Sequence, residues 1–193
     1  MLHRISLALT ALALFAVTVP SRAADEFEFD KLHTQIRFSV THLGFSHPQG
    51  RFLDFDGTLH FDAEHMDQAS VDFSVATKSV DMGNAKWSAH VAGKQFFNAA
   101  QFPEMKFRSH SVEVTGPKDG IVHGELTLLG VTHPLDLNFH LNKAGPHPFN
   151  KKYAVGFSAT ASLQRSAFGM TAFVPMVSDA VQIHIEVEAT RKD

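Results

Sequence analysis

The chain has 193 residues, 17 Lys and Arg against 20 Asp and Glu, and no cysteine. A formal charge of −3 gives it no electrostatic reason to seek nucleic acid or anionic lipid headgroups, and the missing cysteine excludes disulfide staples, a thiol nucleophile and a lipid anchor on an N-terminal cysteine. Its 18 Phe against one Tyr and one Trp predict an unusually large apolar interior or an apolar cavity, because phenylalanine is the aromatic with no polar handle.

The N-terminus reads as a targeting segment. Arg4 gives a short positive start, Ile5 to Val19 is an almost uninterrupted apolar run, and Pro20 breaks it before Ser21-Arg22-Ala23. That is the pattern of a secretory signal cleaved after Ala23. The run is about 15 residues, short of the roughly 20 that a spanning helix needs. The expectation is residues 1–23 as a cleaved signal and residues 24–193 as one soluble domain that folds outside the cytoplasm, about 170 residues long and large enough for a full core.

Beyond Ala23 the dominant signal has a period of two. Phe27 and Phe29 beside Glu26 and Glu28 make a weak strand. Ile36, Phe38 and Val40 alternate with polar neighbours, as do Leu53, Phe55, Leu59 and Phe61, and then Val71, Phe73 and Val75. Such alternation predicts strands with one buried and one wet face. Asn84–Phe97 breaks the pattern. Its Ala and Lys residues favour a helix, Trp87 and Val91 lie four apart on one face, and Asn84 is placed to cap it. Met105–Val114 and Ile121–Leu129 return to strand. Phe107 shares parity with Met105 while Val112 and Val114 do not, which predicts a bulge near Ser109–Ser111. Leu135 to Leu141, Tyr153 to Leu163 and Val181 to Ala189 alternate cleanly. Turns are predicted at Ser46–Gly50, Gly116–Gly120, Gly130 and Ala144–Pro148. About eight antiparallel strands of this kind make an all-β fold, either a two-sheet sandwich or a closed barrel, and pattern alone does not choose.

Catalytic signatures are missing. There is no Gly-x-Ser-x-Gly elbow, phosphate loop or dinucleotide fingerprint. The 13 His raise the question of a metal, yet no His-x-His or His-Glu-x-x-His spacing occurs, and His60, His140 and His184 fall on the wet parity of their strands. His42 extends the apolar row of Ile36, Phe38 and Val40. It reads either as a contact for a ligand's head group or as a rim residue bonded to a turn. Arg165 keeps the parity of the row ending at Leu163, and reads either as a mouth residue reaching water or as a cation near a polar head. Trp87 either plugs one end of the fold or closes a pocket.

The motifs themselves resemble those of the YceI family. His42-Leu-Gly-Phe-Ser46, Gly50-Arg-Phe-x-Asp-Phe-x-Gly57, Ser79-Val-Asp-x-Gly-Asn84, Phe96-Phe97, Phe102-Pro103, Phe107-Arg-Ser109, Leu126 to Pro134 and Arg165-Ser-x-Phe-Gly-Met170 follow in the family's order over about residues 25–190. The stretch Trp87–Val91 departs from the Arg-Asp pair that members of the family usually carry there. The resemblance implies an extended antiparallel lipocalin-like β-barrel with a short helix near one end. It implies a periplasmic protein, often a homodimer, with a long apolar pocket for a polyisoprenoid such as a quinone tail, or for a fatty amide. The inward rows then become ligand-binding walls: Phe38, Val40, Phe55, Leu59, Phe73, Val75, Phe107, Leu137 and Phe157. The motif residues His42, Phe45, Asn84, Trp87, His90, Arg165 and Phe168 join them. No catalytic residue, metal or cofactor beyond the bound lipid is expected. The alternative readings are a redox or stress partner that delivers quinone to a membrane cytochrome, and a metal-binding stress protein.

Overall fold

The computed structural model describes residues 24–193, and the candidate signal segment lies outside the described residues. Six strands precede the helix: β1 (Asp25–Phe29), β2 (Gln35–Ser39), β3 (Gln49–Phe52), β4 (Phe55–Phe61), β5 (Ser70–Ala76) and β6 (Val80–Asp81). After α1 (Ala85–Ala92) come β7 (Glu104–Val114), β8 (Asp119–Leu128), β9 (Val131–Pro146), β10 (Tyr153–Gln164) and β11 (Ala180–Arg191). Antiparallel pairing runs β1-β4-β5-β7-β8-β9-β10-β11 and returns from β11 to β1, so eight strands close into a barrel. The barrel, not the sandwich, is the solution this chain adopts.

β1 and β2 lie one after the other along β11, with Phe29 opposite Ala189 and Ile36 opposite Ile185. Asp30–Thr34 is a jog between them. The Asp30 N–H and the Thr34 hydroxyl both donate to the Glu188 carbonyl, at 2.8 and 3.0 Å. Beyond the jog, β2, β3 and β6 extend the sheet past the closed ring. The registers place the β2–β3 loop, α1, the β8–β9 turn and the β10–β11 connection at one end of the barrel. The β4–β5, β7–β8 and β9–β10 connections lie at the other.

The alternating rows face inward as expected. Phe27, Phe29, Ile36, Phe55, Leu59, Phe61, Leu135, Val155, Phe157 and Ala189 are all buried. Burying one such large side chain stabilises the fold by about 1.5–3 kcal/mol, so this interior, without any disulfide, can hold the barrel together. The parity change in β7 is a bulge, with the register shifting between Ser109 and Ser111. The β8–β9 turn has two residues, Leu129 and Gly130, with φ of 52° and 77°, the left-handed pair that matches strand twist in tight hairpins.

Three expectations are corrected. Leu53 is exposed because β3 ends at Phe52, and parity loses its meaning where a strand stops. The turn expected at Ala144–Pro148 begins later, because β9 continues through Pro146 opposite Tyr153. The helix stops at Ala92, where Gly93 breaks it, and residues 93–101 form turns. Asn84 does cap it, its side chain accepting from the Trp87 N–H at 3.1 Å.

Candidate functional site

The inward rows do not close completely upon one another. They surround an inner chamber of about 210 Å³ lined by 25 residues, of which all but Ser70 are apolar. Leu59 of β4, Phe73 and Val75 of β5, Phe107 of β7, Leu137 of β9 and Phe157 of β10 all face it. Ile183, Ile185 and Val187 of β11 complete the wall. With no charged group and only one hydroxyl facing it, the space offers hydrocarbon contact and almost nothing else.

A second, outer chamber of about 550 Å³ lies at the helix end. Phe38, Val40 and His42 come to it from β2 and the loop after it, Trp87, His90 and Val91 from α1, and Arg165, Met170 and Phe173 from the β10–β11 connection. Phe97 is the single residue that lines both chambers. Its ring sits 5.2 Å from Phe52 and 6.1 Å from Phe38, and those two are 5.6 Å apart, so three rings in mutual contact divide the chambers. Phe38 lies across β3 from Gly50, where any Cβ would collide with its ring and with Met82. The glycine of the Gly50-Arg-Phe motif is thus a seat for one leaf of this aromatic partition.

Of the residues expected at the site, six face the inner chamber (Leu59, Phe73, Val75, Phe107, Leu137, Phe157) and six the outer (Phe38, Val40, His42, Trp87, His90, Arg165). Four line neither. Phe55 is buried and stacks on Phe73 with centroids 5.3 Å apart. Asn84 spends its side chain on the helix cap. Phe168 is buried with the His133 ring edge-on at 5.1 Å. Phe45 projects into water, 90% exposed, from a tight loop in which Leu43 and Gly44 both take left-handed φ.

Arg165 is neither a mouth residue reaching water nor a free cation. It is 3% exposed, and its guanidinium donates to four backbone carbonyls, those of Ser178, Met170, Ala172 and Val177, at 2.9–3.0 Å. Burial pulls its pKa below the usual arginine range, and Asp179 opposes that fall. Four of five N–H donors are consumed, so Arg165 staples the β10–β11 connection into the shape that walls the outer chamber. Asp179 serves the same connection. Its carboxylate accepts from the Ser166 hydroxyl and N–H at 2.6 and 2.8 Å, which holds its pKa low.

The single group of described residues with metal-ligand spacing is Asp30, His33 and Glu188, on the flank at the β1–β2 jog and facing neither chamber. Asp30 accepts from the Leu32 and His33 N–H groups through Oδ1 and meets the His33 ring through Oδ2 at 2.7 Å. Hydrogen bonding to Asp30 raises the His33 pKa, and the same contact lowers that of Asp30. These bonds account for the placing of Asp30 and His33. His140 is exposed on the outer face, paired with Asp119 at 2.7 Å.

Phe52 and Phe97 were not among the expected site residues. The Phe96-Phe97 doublet after the helix was the visible signal for the second of them. No described helix is long and apolar enough to cross a membrane.

Comparison with known proteins fits this architecture. A solved structure of Burkholderia cenocepacia BcnA superposes with a TM-score of 0.76 over 84% of this chain and 99% of that one, at 23% identity. The Campylobacter jejuni YceI protein superposes at 0.73 over 79% and 90%, at 27% identity. A polyisoprenoid binding domain from Saccharophagus degradans, implicated in plant cell wall breakdown, shares the fold at 0.66 and 10% identity over 88% and 99%. UPF0312 proteins of Shewanella putrefaciens and Shewanella oneidensis are 35% and 36% identical, each over 96% of both chains. The YceI-like domain model matches residues 27–189, and with these relatives it shows that the chain belongs to the YceI-like domain family.

Proposed function

We propose that this protein is a periplasmic carrier that holds the tail of a long-chain amphiphile, a polyprenyl lipid, an isoprenoid quinone or a fatty amide, and performs no chemistry on it. The observation that carries the reading is the inner chamber, walled by 24 apolar residues and one serine and reached past an aromatic partition from a second, wider space. The polyisoprenoid named for the S. degradans domain of this fold supplies the ligand class, and the apolar run at Ile5–Val19 supplies the compartment.

Magnitudes favour the tail over the head group as the source of affinity. Each methylene taken from water contributes about 0.8 kcal/mol, so a five-carbon isoprene unit offers up to about 4 kcal/mol before ordering costs. A dry cavity of about 150 Å³ accepts a benzene ring. The inner chamber, at about 210 Å³, holds roughly one or two such units, and a longer tail must part the Phe38–Phe52–Phe97 rings and continue into the outer chamber.

Native mass spectrometry of the protein purified from its own host without detergent tests this. The expected spectrum shows a chain beginning at Ala24 with an added mass that dissociates as intact, unmodified lipid. A bare chain that also takes up no added polyprenol contradicts the carrier. A chemically altered lipid contradicts the absence of chemistry.

A further inference from the structure

The mouth of the outer chamber is ringed by apolar side chains that water touches. Phe45 is 90% exposed, Met176 58%, Leu43 51%, Phe173 46% and Trp87 40%. They belong to three segments that hold one another. His42 forms a β-bridge to Val177, the Leu43 N–H donates to the Met176 carbonyl at 2.8 Å, and the Phe96 ring stacks on Phe173 with centroids 6.1 Å apart. Leu43 and Phe173 take left-handed φ of 53° and 63°, a costly conformation for a bulky side chain. The fold therefore accepts backbone strain in the loops that display this apolar rim to solvent.

The charge of the same segments is one-sided. Residues 40–48, 83–102 and 165–179 contain Lys86, Lys94 and Arg165 against one acid, Asp179, which is held by Ser166 inside the Arg165 staple, in a chain whose total is −3. Arg165 is buried in its staple, but Lys86 and Lys94 stand exposed on α1 and on the turn after it. At the opposite end the charges are mixed, with Asp62, Glu64 and Asp67 in the β4–β5 connection and Lys118, Lys151 and Lys152 in the β7–β8 and β9–β10 connections. The net charge, which argued against anionic headgroups, conceals a cationic apolar mouth on an otherwise acidic molecule.

We propose that the mouth end docks on an anionic phospholipid surface. Phe45, at the tip of the β2–β3 loop, enters the acyl boundary, and Lys86 and Lys94 lie at the headgroups. Apolar insertion and basic attraction are the two signals that together hold a protein reversibly at a bilayer. The opposite end also shows an exposed phenylalanine, Phe149, with Lys151 and Lys152 beside it, so what favours the mouth is its wider rim of five exposed apolar side chains, and in that orientation the outer chamber opens into the membrane. For its purpose this inference rests on the carrier reading, since a tail then moves between bilayer and barrel without crossing water. The docking itself rests on the rim alone.

Co-sedimentation with phosphatidylcholine vesicles, with and without one-third phosphatidylglycerol, tests it. The intact protein is expected to bind the anionic vesicles at least tenfold more tightly than the neutral ones. Phe45→Ser is expected to lose at least tenfold on anionic vesicles, and a Lys86→Glu/Lys94→Glu double variant to lose the preference for them. Neither change touches a residue lining the chambers, so uptake of a free short-chain polyprenol, read by the fluorescence of Trp87, is expected to stay unchanged. Intact protein that takes up the polyprenol but ignores both kinds of vesicle overturns the docking and leaves the carrier standing. Vesicle binding without polyprenol uptake does the reverse. Vesicle binding unaffected by either variant overturns the assignment of this face. So does a dimer in sedimentation equilibrium that Phe45→Ser dissociates and that binds no vesicles, because the rim would then be covered by a second copy.

Discussion

The inner and outer chambers are built by different means. The inner one is made almost wholly by strands: apart from Ala69, Ser70 and Phe97 its lining follows from a period of two, and all of it but Ser70 is apolar. The outer one is made by a loop, one short helix and the β10–β11 connection, and it mixes His42, His90 and Arg165 with apolar groups. A uniform dry wall gives affinity for any hydrocarbon. A loop-built vestibule with a few polar groups can distinguish what the hydrocarbon is attached to, and loops can move where closed strands cannot. On the proposed carrier reading, grip and choice are separated along the barrel axis, with the Phe38, Phe52 and Phe97 rings between them.

The strongest way to break this comparison is from the inside. Phe157 packs edge-on against Phe61 at 5.1 Å and against Phe139 at 6.0 Å in the inner wall. Phe157→Ala is expected to cost about 3–5 kcal/mol of stability in urea unfolding, the usual penalty for emptying a buried phenylalanine site. A loss below about 1 kcal/mol would mean that the inner wall is not the structural core described here.

The outer chamber should respond differently. Arg165→Met keeps the apolar stem but leaves four carbonyls without their donor. Stranding buried acceptors costs about 1–3 kcal/mol each before relaxation. The expected result is a total loss of about 3 kcal/mol, with hydrogen-exchange protection lost across residues 165–178 and retained in β9, β10 and the body of β11. Uniform loss of protection across the barrel would show that the two chambers are not independently supported.

The smallest effect belongs to the flank, away from both. His33 is held above its ordinary value of 6.5 by Asp30, and Asp30 below its ordinary 3.8 by His33. A raised histidine stabilises the fold fully below its unfolded value, and that contribution fades as pH rises through the folded value. A depressed carboxylate contributes above its unfolded value and fades as pH falls through the folded one. The pair therefore helps most between about 3.8 and 6.5. In an NMR titration, Asp30→Asn is expected to bring the His33 midpoint down towards 6.5 while lipid uptake stays unchanged. An unmoved midpoint would show that Asp30 is not the cause, and altered uptake would tie this flank to the chambers.

Sequence alone reached the barrel rows, and even the β7 bulge, because alternation is a local property wherever a strand is paired on both sides. It failed where strands stop. The parity that carried Leu163 into the wall was extended to Arg165, yet β10 ends at Gln164 and the chain turns into a short 3-10 segment, so the guanidinium swings to carbonyls of its own loop. Leu53 failed for the same reason at the end of β3. The aromatic partition joins Phe38, Phe52 and Phe97, which come from two strands and a turn far apart in the chain, and no local pattern brings them together. Phe45 was read as a pocket residue from its motif, and its position on a left-handed loop tip explains why it faces outward. The basic mouth was invisible in a net charge that averages over both ends.

The account depends on hydrocarbon filling both chambers in series. The chain's single tryptophan, Trp87, lines the outer one, so its fluorescence can follow a titration with polyprenols of increasing length. The expected result is an affinity that climbs by at least tenfold, about 1.4 kcal/mol, with each added isoprene unit until the chambers are full, and that then levels off. An affinity that stays flat from the shortest tail to the longest would show that the rings do not part and that the barrel does not hold a chain.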